Sequence, residues 1–531
     1  MLENKKLNIW LPLSLAVVLA LGMFLGKKFA DVSSSPAKMG SGGSDLDYIM
    51  AYIKADYVDT VNIKTAYNQG IEHILQSLDP FSAYIPAEDL RQASEPLEGN
   101  FEGIGVEFYL FKDTVLVVNV ITGGPSEQVG IQAGDKIVRV NGENITASKI
   151  TNERVVKLLK GAKGSKVDLG IARKSSKKIL EFKVTRGNVP IRSIDASLMV
   201  SSNVGYIKIN SFSATTATEM QTALKKLSGM GMTKLILDLR NNGGGYLEAA
   251  IGVADEFLKN DQLVTYTQGR SQPKHAYNAT SYGTFEQKPL AILIDEGSAS
   301  ASEILAGAIQ DWDRGTIVGR RSFGKGLVQE QYLMPSGAAL RLTVSRYFTP
   351  SGRCIQKPYT DNLNMRNGSY LKLHQAELFS LDSIKTNDSL RYLTKAGRVV
   401  YGGGGIIPDV FVPADSSRFD EFFIEVFAQG ILLEYAYQYA TDKQELLKIY
   451  KNSQNYSTSF NLPEYDYLDF IEYAKKKGIT KKSKPSDQKP IKNYLKAYIG
   501  KRVFDENALY ATLLVDDKTA LKALQILNQK N

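Results

Sequence analysis

Cysteine and histidine are nearly absent from this 531-residue chain: Cys354 stands alone beside His73, His275 and His374. One cysteine excludes an intrachain disulfide, so stability must come from buried cores. A Cys/His zinc site is starved of ligands, and neither metal nor cofactor is expected. Cys354 has no histidine close in sequence and reads as a small buried apolar residue. The patterns G-x-S-x-G and H-E-x-x-H are missing, and no histidine sits at a motif, so a His-based triad lacks its base. Internal repeats are absent as well. Excess charge is another lack. The formal net charge of +9 is modest for this length, and the densest basic stretch, Lys475 to Arg502, lies in the tail away from every motif. It reads as a solvated face, and no nucleic-acid partner is expected.

Long apolar runs are scarce: one extends from Ile9 to Gly26, after Lys5 and Lys6, and Lys27-Lys28 close it. At roughly 18 residues it is just long enough to span a bilayer. The same pattern begins secretory signals, but no clean A-x-A site follows, so an uncleaved signal anchor is the preferred reading over a cleaved peptide. Ser33 to Ser44 is rich in Ser and Gly and reads as a linker.

What is present is a multidomain globular chain, 43% apolar and 23% charged. The spacing predicts an anchor over 1–30, a linker over 31–44, and a helical region over 45–97. Within the last, Tyr48, Ala51, Tyr52 and Ala55 recur at three- and four-residue steps, and Asp79-Pro80 is the break. Over 98–187 short strands and turn signals such as Asn141-Gly142 predict a small β domain with one helix, Ile150 to Leu159. Over 188–414 strands and helices alternate, which indicates an α/β domain. Over 415–531 the chain is Tyr- and Lys-rich and mostly helical.

Chemistry concentrates in the α/β domain. Gly297-Ser298-Ala299-Ser300-Ala301-Ser302-Glu303 follows a buried strand. Ser300-x-x-Glu303 also spells a capping box, so the serine can serve as a helix cap or as a nucleophile. Phe323-Gly324-Lys325-Gly326-Leu327-Val328-Gln329 follows the strand Thr316 to Gly319 and leads into another. An extended backbone would place Lys325, Leu327 and Gln329 on one face. A lysine desolvated there loses its proton near neutral pH and can serve a serine hydroxyl as base, with Gln329 to orient the amine. The plain alternatives are a surface lysine on a glycine turn and a polar strand residue. Gly319 to Gly326 nearly spells a phosphate-binding loop, but Gly326 stands where a Ser or Thr must ligate magnesium, and a strand follows instead of a helix. The third motif, Asp238-Leu239-Arg240-Asn241-Asn242-Gly243-Gly244-Gly245, ends a buried strand. Its glycines can turn N–H groups toward an oxyanion, or simply make a strand-to-helix turn.

Together these residues resemble the carboxyl-terminal processing proteases, tail-specific serine peptidases of family S41 with a PDZ domain. The resemblance covers roughly Asp45 to Pro413. It rests on the three motifs in order, on a spacing of 25 residues (325 − 300) between Ser300 and Lys325, on Leu78 to Ser82, and on Gly405 to Asp409. It implies a crotonase- or ClpP-like α/β core carrying an inserted PDZ domain. It implies Ser300 as nucleophile, Lys325 as general base and Gln329 as the residue that positions the lysine. The oxyanion hole would use backbone N–H groups of Gly244 or Gly245 with Ala301. Gly103-Ile104-Gly105-Val106 would be the PDZ loop that takes a peptide carboxylate, with β-augmentation of an edge strand. Implied partners are protein substrates bound by their C-termini, the inner membrane, and a second copy or an adaptor; the implied location is a bacterial periplasm. A catalytically inactive PDZ scaffold is the alternative.

Overall fold

The computed structural model describes residues 7–30, 44–111, 114–146, 150–359, 375–415 and 420–529, with side chains described over 12–24 in the first helix. Lys5, Lys6, His374 and the expected linker, Ser44 excepted, lie outside the described residues.

The first helix, Leu7–Ala30, contains Pro12. Among the described residues no helix is long and apolar enough to cross a membrane. The expected membrane anchor is therefore not retained, nor are the inner-membrane partner and the periplasmic placement tied to it.

Two helices, Asp45–Asp56 and Ile63–Gln76, occupy the region where helical periodicity predicts them. Asn62 caps the second by accepting the Thr65 N–H. At the Asp79-Pro80 break, Asp79 Oδ1 accepts the N–H groups of Phe81 and Ser82, both at 2.7 Å. This side-chain-to-backbone turn aims the chain into a short strand, Ala83–Ile85. That strand pairs antiparallel with Ala339–Phe348, far along the sequence.

The β domain is an antiparallel sheet of Val106–Phe111, Thr114–Val120, Lys136–Val140, Lys166–Ala172 and Leu180–Thr185, with a two-residue strand at its side. Alternation buries one face: Val115, Val117, Ile137, Val167 and Leu169 are closed to solvent, and the helix Asn152–Leu159 adds Val155 and Leu159. Each such aliphatic side chain contributes roughly 1.5–3 kcal/mol of burial. The incoming strand Asn100–Gly103 pairs with the outgoing strand Gly187–Pro190, so the domain hangs from the core on one two-stranded stem.

The core sheet runs Ile194–Met199, Val204–Ile209, Lys234–Asp238, Leu290–Ile294, Thr316–Gly319, Val410–Phe411. The first pair is antiparallel and the rest are parallel. Its central strands Val204–Ile209 and Leu290–Ile294 are buried along their whole length because both faces are covered. Helices Thr216–Gly229, Leu247–Asp255 and Ala301–Asp311 cover one face. The other face receives Lys518–Gln529, whose Ala520, Ala523 and Leu527 pack on Tyr206, Ile236, Leu293 and Val318. The end of the helical extension is thus a layer of the core, a contact that periodicity alone cannot assign. The remaining helices form their own core around Tyr456, Phe470, Ile491 and Leu495.

Candidate active site

The three motifs follow the carboxyl ends of three neighbouring parallel strands. Lys234–Asp238 leads into the glycine run, Leu290–Ile294 into Ser300, and Thr316–Gly319 into Lys325. Crevices at strand carboxyl ends are where open α/β sheets gather functional loops.

Ser300 precedes the helix Ala301–Asp311 with φ 56° and ψ −112°. An ordinary N-cap residue is extended; a serine at positive φ is strained and persists only where its surroundings hold it. Here the surroundings are tight. A Cβ on Gly244 would lie 2.8 Å from Ser300 Cβ and from Ala299 O, and 3.0 Å from Ala301 N. Asn242 O accepts from Ala299 N–H at 3.0 Å and from Ser302 Oγ at 2.9 Å. Gly244 and Gly245 both have positive φ, at 99° and 149°. The Gly244 N–H donates to Asn242 Oδ1 at 2.9 Å. The N–H groups of Gly245 and Ala301 find no acceptor among the described residues.

Glu303 is closed to solvent and ties the serine to the lysine loop. Its Oε2 accepts the Ser300 N–H at 2.8 Å and the Lys325 N–H at 2.9 Å. Its Oε1 accepts the Ser322 hydroxyl at 2.6 Å and the Gly324 N–H at 2.7 Å. Burial raises its pKa to about 7, against the pull of these four donors. From the carbonyl side, the Tyr347 hydroxyl donates to Lys325 O at 2.6 Å and lies 3.2 Å from Ser300 O.

Lys325 lies in the loop before the strand Leu327–Leu333, not on it. Gly324 at φ 93° turns the chain, and the strand begins only at Leu327, two residues after the lysine. The expected common face for Lys325, Leu327 and Gln329 therefore does not form. Burial, and next the charge of Arg341, lower the Lys325 pKa to about 8, against Glu303 and Asp79. The ammonium lies 4.9 Å from the centre of the Phe81 ring. No hydrogen bond joins Lys325 Nζ to the Ser300 hydroxyl; such bonds are often long before substrate binds. Gln329 Nε2 donates to Thr343 Oγ1 at 3.3 Å, and Ser82 Oγ lies 3.4 Å from the same oxygen.

Glu303 carried only a capping signal in the sequence, and Tyr347 carried none. Among the described residues no group of His, Cys, Asp and Glu is placed to hold a metal. Cys354 is half-buried, with its thiol pKa raised by burial.

The predicted PDZ loop lies in the β domain, apart from this crevice. Ile104, Gly105 and Val106 line a cavity of about 150 Å³ with Phe101, Phe108, Val156, Leu159 and Lys160. Gly103 ends the stem strand at its rim. Val106–Phe111 beside it is an edge strand of the sheet, the element a peptide can extend.

Known families match three parts of the chain. The profile of peptidase family S41 matches residues 203–363, a PDZ domain 116–173, and a family of unknown function 422–505. A carboxy-terminal-processing protease of Bartonella bacilliformis is 36% identical over 313 residues, 58% of this chain and 71% of that one. The carboxy-terminal processing protease CtpA of Bacillus subtilis is 32% identical over 362 residues, 67% of this chain and 76% of that one. The chain belongs to the carboxy-terminal processing proteases of peptidase family S41. CtpB of Bacillus subtilis, another member, is 35% identical over 311 residues, 57% of this chain and 64% of that protein's length. The family is one of serine peptidases with a PDZ domain, as the motifs of the protease core imply. The helical region at 422–505 has no assigned role in it.

Proposed function

We propose that the chain is a serine endopeptidase acting on C-terminal regions of proteins, with Ser300 as nucleophile and Lys325 as general base. The observation that carries this reading is the Glu303 carboxylate oxygen shared by the backbone N–H groups of both residues. With its pKa near 8, a useful fraction of Lys325 is a neutral amine at physiological pH. The amine takes the Ser300 hydroxyl proton as Oγ bonds to the scissile carbonyl carbon. The oxyanion is met by the N–H groups of Gly245 and Ala301, since Gly244 is already engaged by Asn242. The ammonium then protonates the leaving amine as the C–N bond breaks, leaving an acyl-serine. Water attacks the ester with Lys325 again taking a proton, and the acid and free Ser300 result.

Gln329 completes the group as the residue that orients the amine, swinging from Thr343 when substrate closes the crevice. The PDZ loop Gly103 to Val106 takes the substrate carboxylate, and the strand Val106–Phe111 extends the bound peptide. The same reading makes the core crotonase- or ClpP-like, divides the chain at 45–97, 98–187, 188–414 and 415–531, and has it assemble with a second copy or an adaptor protein.

The test is cleavage of an unfolded protein by wild type, Ser300→Ala and Lys325→Ala. Cleavage by wild type alone is expected. Full activity in either variant sinks the assignment, and no cleavage by folded wild type returns the chain to an inactive PDZ scaffold.

A further inference from the structure

Tyr347 sits on the strand Ala339–Phe348 and is closed to solvent. Its backbone N–H donates to Gly326 O at 3.0 Å, and its hydroxyl to Lys325 O at 2.6 Å, so it holds two successive carbonyls of the lysine loop. The hydroxyl also lies 3.2 Å from Ser300 O, the carbonyl of the strained residue itself. Both oxygens are acceptors only, and the phenol has one proton. That proton is the bridge between them, held mainly by Lys325 O with Ser300 O as the longer arm. Burial, then the charge of Glu303, keep the phenol protonated across the working pH range.

We propose that Tyr347 is a positioning residue of the protease site: its hydroxyl sets the separation of Ser300 from Lys325 by bridging their two carbonyls, opposite the amide groups gathered by Glu303. Ser300 O also accepts the N–H groups of Glu303 at 2.8 Å and Ile304 at 3.0 Å, so without the phenol proton it is Lys325 O that is left with no donor. The lysine loop then parts from Ser300, which keeps its helix bonds, and the amine moves away from the serine hydroxyl. Tyr347 touches no substrate, so its loss acts on the chemical step and spares binding.

This inference rests on the Ser300–Lys325 reading. Tyr347→Phe removes one oxygen and keeps the ring that fills the core. The expected result is a kcat about 10- to 100-fold lower, the penalty of a displacement near 1 Å, with KM within twofold. The rate of fluorophosphonate labelling at Ser300 should fall in parallel. Placing 4-aminophenylalanine at 347 restores donors to both carbonyls and should return kcat to within a few-fold of wild type, which also covers a Phe variant that fails to fold. If Ser300→Ala and Lys325→Ala are inactive while Tyr347→Phe keeps its kcat, this proposal alone is overturned. Failure of the amino variant to restore kcat overturns it too. If Ser300→Ala still cleaves, the fault lies in the underlying assignment.

Discussion

The Phe81 ring lies 4.9 Å from the ammonium of Lys325, bringing a residue of the N-terminal region against the candidate base. A ring face attracts a cation, yet burial is the largest influence on this lysine and acts the other way. Phe81→Ala admits water and should move the Lys325 pKa toward its ordinary 10.5. A rise of about one unit leaves roughly tenfold less neutral amine at neutral pH. The pH–kcat/KM profile checks this: its lower limb should shift to higher pH. A shift to lower pH shows that the cation–ring attraction outweighs burial.

The glycine run offers an internal comparison. A Cβ on Gly245 would fall 1.9 Å from Phe212 O, and one on Gly244 2.8 Å from Ser300 Cβ, whereas one on Gly243 meets nothing within 4 Å. Gly244→Ala and Gly245→Ala should each cost about 1–3 kcal/mol and abolish cleavage. Gly243→Ala should stay within about 0.5 kcal/mol of wild type and remain active. Thermal melts paired with peptide cleavage measure both.

Glu303 should leave a signature in stability against pH. Its folded pKa of about 7 lies above the ordinary 4.5, so the folded state binds more protons than the unfolded state between those values. Its contribution is fully present below about pH 4.5 and is lost as pH rises through about 7. Urea unfolding of wild type and Glu303→Gln across pH 4–8 isolates it. The difference between the two should change over that window, and a flat difference contradicts the assignment.

Much of the crevice was legible in the sequence, because it is built from local signals. A glycine run, a small-residue bend and a glycine-flanked lysine each follow an apolar strand, and neighbouring strands bring their carboxyl ends together. The partner of Gln329 was not legible, because its amide rests on Thr343 of the neighbouring strand, a pairing that alternation along one strand does not reveal. Tyr347 was invisible: it lies 47 residues from Ser300, on a strand whose alternation reads as ordinary core. The tail was set apart from the core for a related reason. Periodicity identifies the helix Lys518–Gln529 but does not say which sheet its apolar stripe covers.

That helix is open to a direct check. Ala523 is closed to solvent against the core sheet, and Arg240, from the glycine-run motif, pairs with Asp517 at 2.8 Å just before the helix. Ala523→Asp buries an unpaired carboxylate and should cost several kcal/mol, about 3 or more. The loss should appear in the unfolding of the protease core itself. If only the helical region 422–505 is destabilised and peptide cleavage persists, the helix is not a layer of the core.

The most direct measurement of the Ser300–Lys325 pair is the rate of fluorophosphonate labelling of Ser300 as a function of pH. The wild-type rate should rise with pH through an apparent pKa of about 8, the value burial imposes on Lys325. Lys325→Ala should label slowly with no such rise, while melting near the wild-type temperature. A wild-type rate flat across pH 6–10, or a Lys325→Ala variant with the same profile, contradicts Lys325 as the base.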